Sequence, residues 1–231
     1  MDRNFKVRVS VSLCLFAVVL VSLYTFDSIP FKIIFGIFAT VAALELLSFF
    51  EKKFTITNGL LAIIEIAFLV LGAIFVAQVD LLHFWYIILG VPGYDIFAYL
   101  FGKMLGGRII KKHQPFPHIS KNKTWEGTVM GLTFSIGLVA ILMATRGDFA
   151  TDYIYLFCGP LALMGDLFES FLKRRFGIKD SNEILIKNKF FEKLELIVGG
   201  SEGHGGFLDR IDSTAFACTV ILVISWISWV V

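Results

Sequence analysis

The residues with the clearest chemical potential lie at 203–213, where the sequence reads GHGGFLDRIDS immediately before a closing apolar run. Two Asp, one Arg and one His surround a glycine pair. Charges this close to a bilayer are costly unless they pair, bind a metal or meet a polar substrate. Glycines allow a backbone to approach a bulky ligand closely. The pattern therefore predicts a charged site for phosphate at a membrane surface, with a glycine turn and a helix-capping Arg–Asp pair as the structural alternative.

A second polar group lies 30 to 50 residues earlier, on an otherwise apolar helix. Asp166, Glu169, Ser170 and Lys173 recur at positions i, i+3, i+4 and i+7 and so share one helical face. Glu169 and Lys173 could form an ordinary i,i+4 pair. That pair does not involve Asp166, which lies deeper in the apolar run and needs a partner of its own. The polar face is therefore interpreted as functional rather than as an ordinary ion pair.

The acidic residues of these two groups predict a metal site. Asp209 and Asp212 share a face if they begin the last helix. Asp166 together with Asp209 could hold Mg²⁺, which prefers carboxylates and phosphate oxygens. Arg210 and His204 could meet the phosphates, with Arg suited to bidentate contacts. His204 could equally be a hydrogen-bonded turn residue.

A third polar group occupies residues 120–127. Lys123 and Thr124, close to Gly127, suit phosphate contacts, although the spacing of a P-loop is absent. Asp95, near the end of an apolar run, is a further acid expected to face a polar cavity.

The elements that carry these groups must be membrane helices. The chain is 57% hydrophobic and 17% charged, with a mean hydropathy of +0.79, whereas a soluble globule has roughly 25% charged residues. A spanning helix needs about 20 mostly apolar residues. The first run could pass for a signal peptide, but no convincing cleavage site follows it, and it is interpreted as a retained span. Seven spans are predicted, at 9–26, 31–50, 59–79, 81–101, 128–145, 153–172 and 214–231.

The Lys and Arg residues predict the orientation of these spans. With the N-terminus in the cytoplasm, nineteen of the 21 fall in cytoplasmic segments, where they normally accumulate. The long polar segments 102–127 and 173–212 then both face the cytoplasm. The predicted organisation is one all-α polytopic membrane domain over 1–231, with four N-terminal spans in 9–101 and a catalytic half in 102–231. Glu45 and Glu65, inside two of the spans, are expected to face the bundle interior.

The motifs resemble those of a known family. The sequence matches S-x-[apolar]-K-R-x4-K-D at 170–180 and H-G-G-[apolar]-x-D-R-[apolar]-D at 204–212, preceded by G-D-L-x-E at 165–169. Residues 120–127 are similar to S-P-K-K-T-W-E-G, and 95–102 to D-x-x-A-Y-x-x-G. Over about half of its length, the chain resembles the bacterial phosphatidate cytidylyltransferases, also called CDP-diacylglycerol synthases.

The resemblance implies transfer of a cytidylyl group from CTP to phosphatidic acid at the bacterial inner membrane, with the active site facing the cytoplasm. It implies Mg²⁺ on Asp166 and Asp209, with a second cation such as K⁺ nearby, and the catalytic residues Asp166, Asp209, Lys173, Arg210 and Asp212. The substrate-binding residues implied are Asp95, Ser120, Lys123, Thr124, Glu126, Ser170, Lys179, Asp180, His204, Gly205 and Gly206. The expected partners are CTP, phosphatidic acid, membrane lipids and a second copy of the chain, and no nucleic acid.

Two departures and several alternatives accompany this interpretation. The link at 181–203 is longer than the family's, with an insertion at about 181–199 that could form an amphipathic interfacial helix. The two prolines of the family pattern, after Ser120 and two before His204, are here Lys121 and Glu202. The alternatives are a CTP-dependent lipid kinase of the polyprenol or phytol type, a synthase for another lipid phosphate, and an inactive relative. An ion-coupled transporter would place polar residues through the full depth of several spans, whereas here they cluster at the cytoplasmic ends.

Overall fold

A computed structural model of the protein describes residues 29–48, 55–110, 114–120, 123–147, 152–178 and 208–230. Within these ranges every regular element is helical, which confirms the all-α prediction. The helices are α1 (Ile29–Ser48), α2 (Ile56–Gln78), α3 (Leu81–Leu105), α4 (Trp125–Arg146), a short 3-10 helix (Tyr153–Phe157), α5 (Cys158–Phe176) and α6 (Leu208–Val230).

Among the described residues, four helical segments are long and apolar enough to cross a membrane: Ile56–Gln78, Leu81–Leu105, Trp125–Arg146 and Tyr153–Phe176. They correspond to the third to sixth predicted spans, and the protein is a membrane protein. Helix α1 lies where the second span is predicted. The apolar part of α6, Ile211–Ile227, is shorter. The predicted first span lies outside the described residues, so the count of seven spans stays a prediction.

Helix boundaries follow ordinary capping chemistry. Thr55 precedes α2, and its hydroxyl oxygen accepts the backbone N–H of Asn58 at 3.2 Å. Thr124 precedes α4 and accepts the N–H of Gly127 at the same distance. Such side chains satisfy backbone donors that the first helical turn leaves unpaired. Helix α4 ends at Gly147, whose φ of 81° is the left-handed conformation that glycine adopts without strain.

The described helices group into two compact units. The first contains residues 29–48, 55–81, 172–178 and 208–211. In it, α1 packs against α2. Both acids predicted to face the bundle interior are buried here, Glu45 at 1% exposed and Glu65 at 2%.

The second unit contains residues 82–110, 114–120, 123–147, 152–171 and 212–230. Glycines bring its helices close together. A Cβ atom at Gly131 of α4 would lie 2.9 Å from the carbonyl oxygen of Tyr94 on α3, and one at Gly165 of α5 would lie 2.9 Å from the Cα of Ser213 on α6. Small residues permit this kind of close packing between membrane helices. Ser135 of α4 adds a buried 2.6 Å hydrogen bond to the carbonyl of Gly90 on α3.

Candidate active site

A cavity of about 510 Å³, lined by both charged and apolar groups, lies within the second unit. Its walls come from the last three turns of α3, the segment before α4, the first turn of α4, and α5. This volume is within the usual range for small-molecule sites. The lining residues are Tyr94, Asp95, Ala98, Tyr99, Gly102, Lys103, Ser120, Lys123, Thr124, Thr128 and Asp166. The structure thus brings together five side chains that the sequence assigns to the site: Asp95, Ser120, Lys123, Thr124 and Asp166.

Two residues of the cavity wall, Lys123 and Asp166, form an ion pair. The Lys123 ammonium donates to Asp166 Oδ2 and lies over the ring of Tyr94, 5.5 Å from its centroid. The hydroxyl of Ser170 lies 3.4 Å from Asp166 Oδ1, one turn further along α5. Asp166 therefore has the partner that its position in an apolar helix required, and the cation comes from the segment before α4.

Electrostatics keep Lys123 charged. Burial by itself lowers the pKa of Lys123, but the charge of Asp166, the Tyr94 phenol and the hydrogen bond to Asp166 outweigh burial and raise the pKa overall. A permanently charged ammonium at the wall of a cavity is suited to holding a phosphate group.

The first turn of α4 also contributes to the cavity, through Thr124 and Thr128. The N-terminal end of a helix carries a partial positive charge and favours anions. Lys103 of α3 adds a second cation to the wall and lies 6.0 Å from the centroid of the Tyr99 ring. Together, these features make one side of the cavity electropositive, and Asp95 and Asp166 supply the opposite charge.

Glu126 holds the chain that follows α3. One of its carboxylate oxygens accepts the backbone N–H groups of Gly107, Ile109 and Ile110 at 3.1, 3.2 and 2.9 Å. The residue is buried. These three bonds fix residues 107–110 against the first turn of α4. The accepting oxygen, Oε1 of Glu126, is therefore occupied by hydrogen bonds from the protein backbone. These bonds give Glu126 a structural role at this turn, and its contact with substrate stays a prediction.

Replacing Glu126 with Gln should therefore loosen this turn. The amide oxygen can still accept hydrogen bonds, but the bonds lose the assistance of the negative charge. We expect the melting temperature in detergent to fall by about 5 °C, measured by a thermal-shift assay. Arg108→Ala is the matched control, because it alters an exposed side chain of the same turn and keeps the backbone donors. Equal melting temperatures for both variants would contradict the role of the three bonds.

The first unit contains two further predicted site residues. Lys173, near the end of α5, donates to Asp209 Oδ1 at 2.5 Å, and Asp209 lies in the first turn of α6. Their side chains are 15% and 18% exposed. Burial of this degree weakens solvent screening of the pair, so each charge depends on the other. The backbone of Asp212 lies in the second unit, where its carbonyl oxygen would be 3.1 Å from a Cβ atom placed at Gly165.

Several predicted site residues lie outside the described ranges, so their roles stay predictions. The same holds for the insertion at 181–199 and for the side chain of Arg210. The residues concerned are Lys179, Asp180, His204, Gly205 and Gly206.

Sequence reasoning did not assign six of the lining residues to the site, although three of them lie in the 95–102 motif: Tyr94, Ala98, Tyr99, Gly102, Lys103 and Thr128. A signal for two of them was present. Tyr94 and Ala98 lie eight and four residues before Gly102, respectively, and therefore on the same face of α3. That face carries the small residues that allow α4 to approach.

The cavity contains carboxylate oxygens that could coordinate a metal ion. Asp95 and Asp166 both line the cavity, and carboxylates plus phosphate oxygens are the donors that Mg²⁺ prefers. Among the described residues, no three His, Cys, Asp or Glu side chains form a ready-made metal cage. The donor set thus fits an ion such as Mg²⁺, which is commonly held by one or two carboxylates and completed by substrate phosphates and water.

Comparisons with known proteins agree with the motifs. Residues 77–187 match the model of the Cytidylyltransferase family. The chain is 34% identical over 182 residues to the phosphatidate cytidylyltransferase of Staphylococcus aureus (strain COL), which covers 75% of this chain and 62% of that protein. It is 35% identical over 130 residues to the phosphatidate cytidylyltransferase of Brucella abortus biovar 1 (strain 9-941), covering 55% of this chain and 40% of that protein.

The chain therefore spans less than two thirds of the length of these curated relatives. No solved structure matches it. The matched region, 77–187, contains the whole of the cavity described above, including the Lys123–Asp166 pair. Over residues 77–187 the chain is therefore similar to the Cytidylyltransferase family, and over 182 residues to a phosphatidate cytidylyltransferase.

Proposed function

We propose that this protein transfers a cytidylyl group from CTP to phosphatidic acid, forming CDP-diacylglycerol and pyrophosphate. The observation that carries the proposal is the cavity with the Lys123–Asp166 pair in its wall, enclosed by membrane helices and contained in the family match. A charged cavity between apolar helices suits a reaction between a membrane lipid phosphate and a nucleoside triphosphate. The similarity to phosphatidate cytidylyltransferases supports the same reaction.

For this reaction the protein mainly has to position the two substrates and neutralise the charge of their phosphate groups. An oxygen of the lipid phosphate attacks the α-phosphorus of CTP. The bond from the α-phosphorus to the oxygen bridging to the β-phosphorus breaks, and pyrophosphate leaves with the electron pair. A phosphate monoester is largely ionised near neutral pH, so we assign no general base.

The cavity residues divide these tasks. Lys123 neutralises phosphate charge, assisted by Lys103 and by the positive end of α4. Asp166, with Asp95 beside it, supplies carboxylate oxygens for a Mg²⁺ ion, which when bound neutralises charge on the reacting phosphates. Asp209, the second ligand predicted from the sequence, lies in the first unit, and its part in metal binding stays a prediction, as does a second cation such as K⁺.

The experiment that tests the function is incubation of the detergent-purified protein with phosphatidic acid and α-labelled CTP. Label entering a lipid, with pyrophosphate released, is the expected result. A lipid kinase would instead release labelled CDP and leave the lipid unlabelled, because only the γ-phosphate would move. No labelled lipid with bound CTP would point to another lipid phosphate as acceptor.

Removing the metal gives a separate prediction. With EDTA in excess over divalent ions, we expect turnover to fall at least about a thousandfold, because bound Mg²⁺ supplies several kcal/mol of charge stabilisation. Adding Mg²⁺ in excess of the chelator should restore it, and labelled lipid measured across a Mg²⁺ titration is the readout. Full activity in EDTA would refute the metal proposal without refuting the transfer reaction.

We further propose that the cavity faces the cytoplasm of a bacterial inner membrane, since nineteen of the 21 Lys and Arg fall in the segments predicted to lie on that side. CTP is available in that compartment. A homodimer stays a prediction.

A further inference from the structure

A buried acid in the N-terminal half makes a long-range contact with the catalytic half of the sequence. Glu45 lies in α1 and is 1% exposed. Its Oε2 accepts the backbone N–H of Leu208 at 2.9 Å, across 163 positions of sequence. Leu208 is the first residue of α6 and is fully buried. Both residues belong to the first unit.

The environment of Glu45 explains why this contact is specific. Its neighbours on α1, Ala42 and Leu46, are fully buried apolar residues. A carboxylate in such surroundings is costly unless it meets a donor. The first turn of a helix presents unpaired N–H groups and a partial positive charge, and these also need a partner. The contact of Glu45 with the start of α6 satisfies both requirements.

The consequence falls on the residue that follows Leu208 in the sequence. Asp209 directly follows Leu208, whose N–H is held by Glu45. Oδ1 of Asp209 accepts a hydrogen bond from the Lys173 ammonium. Fixing the first N–H of α6 fixes the direction in which the Asp209 side chain leaves the helix. A carboxylate that must meet a reacting phosphate or its metal tolerates little displacement, because misplacement of about 1 Å can cost a hundredfold in rate.

We propose that Glu45 is a positioning residue for the reaction: it caps the N-terminus of α6 and thereby holds Asp209, with Lys173, in its working orientation. Helix α1 thus supports the Lys173–Asp209 pair of the first unit. The part of this inference that concerns turnover rests on the proposed function, whereas the capping contact does not.

Three substitutions separate the features of Glu45. Glu45→Gln keeps the length and an acceptor oxygen but removes the charge. Glu45→Asp keeps the charge but shortens the reach by about 1.5 Å, the length of one carbon–carbon bond. Glu45→Ala removes both. Glu65→Ala is the matched control, because Glu65 is an equally buried acid in α2 of the same unit, outside the site.

The capping contact is tested by hydrogen–deuterium exchange of the detergent-purified protein, followed by mass spectrometry of peptides covering 208–212. We expect Glu45→Ala and Glu45→Asp to exchange about tenfold faster or more in this segment, since a hydrogen bond to a charged acceptor is lost. Glu45→Gln should lie between them and the wild type, and Glu65→Ala should match the wild type. Unchanged exchange in Glu45→Ala and Glu45→Asp would overturn the proposal whatever the activity.

The kinetic test uses labelled CTP and phosphatidic acid. We expect Glu45→Ala to lower kcat by about tenfold or more with KM for CTP changed less than about threefold, because orientation acts mainly on the transition state. Glu45→Gln should recover most of kcat. Glu65→Ala should lower thermal stability and leave kcat of the folded fraction near that of the wild type. A kcat for Glu45→Ala equal to that of Glu65→Ala would overturn the positioning role.

The two proposals fail in different ways. Faster exchange at 208–212 in a protein whose wild type makes no labelled lipid from phosphatidic acid would retain the cap and refute the proposed reaction. Labelled lipid from the wild type with unchanged exchange in the variants would do the reverse.

Discussion

Asp166→Asn should abolish turnover while leaving the protein folded. The substitution removes a charge and keeps the size of the side chain. Asp166 pairs with Lys123 inside the cavity and supplies an oxygen donor to it. Without this carboxylate, the cavity loses a negative charge and an oxygen donor suited to Mg²⁺. We expect labelled CDP-lipid to fall by at least about a thousandfold at saturating substrate, which corresponds to about 4 kcal/mol of transition-state stabilisation.

The control for this variant is Asp152→Asn. Asp152 is another aspartate of the second unit, and its Oδ1 lies 3.5 Å from Nε2 of His83 in the first turn of α3. His83 precedes Asp95 by twelve residues on that helix, a distance of about 18 Å along its axis. A loss of turnover in Asp166→Asn that Asp152→Asn does not share, with both variants monodisperse in detergent, supports the assignment. Turnover within threefold of the wild type in Asp166→Asn would remove this residue from the catalytic machinery.

Gly127→Ala should open the cavity by forcing two helices apart. A Cβ atom at Gly127 would lie 2.5 Å from the carbonyl oxygen of Ala98 and 2.9 Å from the Cα of Gly102. Both are backbone atoms of α3, which cannot rotate away as a side chain can. Overpacking of this kind typically costs about 1–3 kcal/mol. Because Ala98, Gly102 and Thr124 all line the cavity, the same displacement alters the substrate site.

We therefore expect Gly127→Ala to lower the melting temperature by about 5 °C or more and to lower turnover by about a hundredfold. Thermal unfolding in detergent and the labelled-lipid assay measure the two effects. Gly137→Ala is a control on the same helix, because a Cβ atom there meets no heavy atom within 4 Å. Its stability should be equal or slightly higher, since alanine is the better helix former. If the two variants melt and turn over alike, the close approach at Gly127 does not determine the geometry of the site.

The sequence predicted the elements well because their signals are local. Apolar runs of about 20 residues specify membrane helices whatever surrounds them, and α1 to α6 lie at or near the predicted positions. Charged residues inside such runs mark places where a partner must exist. Asp95 and Asp166 were singled out in this way, whereas the assignment of Lys123 and Thr124 to the same site came from the resemblance to a known family.

The identity of each partner was decided by tertiary structure. The helical pattern around Asp166 offered only neighbours on α5, whereas the observed cation is Lys123 from the segment before α4. Glu126 matched the pattern of a substrate contact, yet one of its oxygens binds three backbone N–H groups of a neighbouring turn. Both outcomes depend on which loop packs beside which helix, and local periodicity does not contain that information.

Glu45 shows the same limit most clearly. The sequence by itself indicated that this acid would be buried, because an ionisable residue within an apolar membrane helix is expected to face the interior of the bundle. That it contacts the start of α6, 163 positions further along the chain, was decided by the packing of α1 in the tertiary structure. A hydrogen bond forms only between groups brought to about 3 Å with the correct orientation, and for residues so distant in sequence the folded chain alone achieves this.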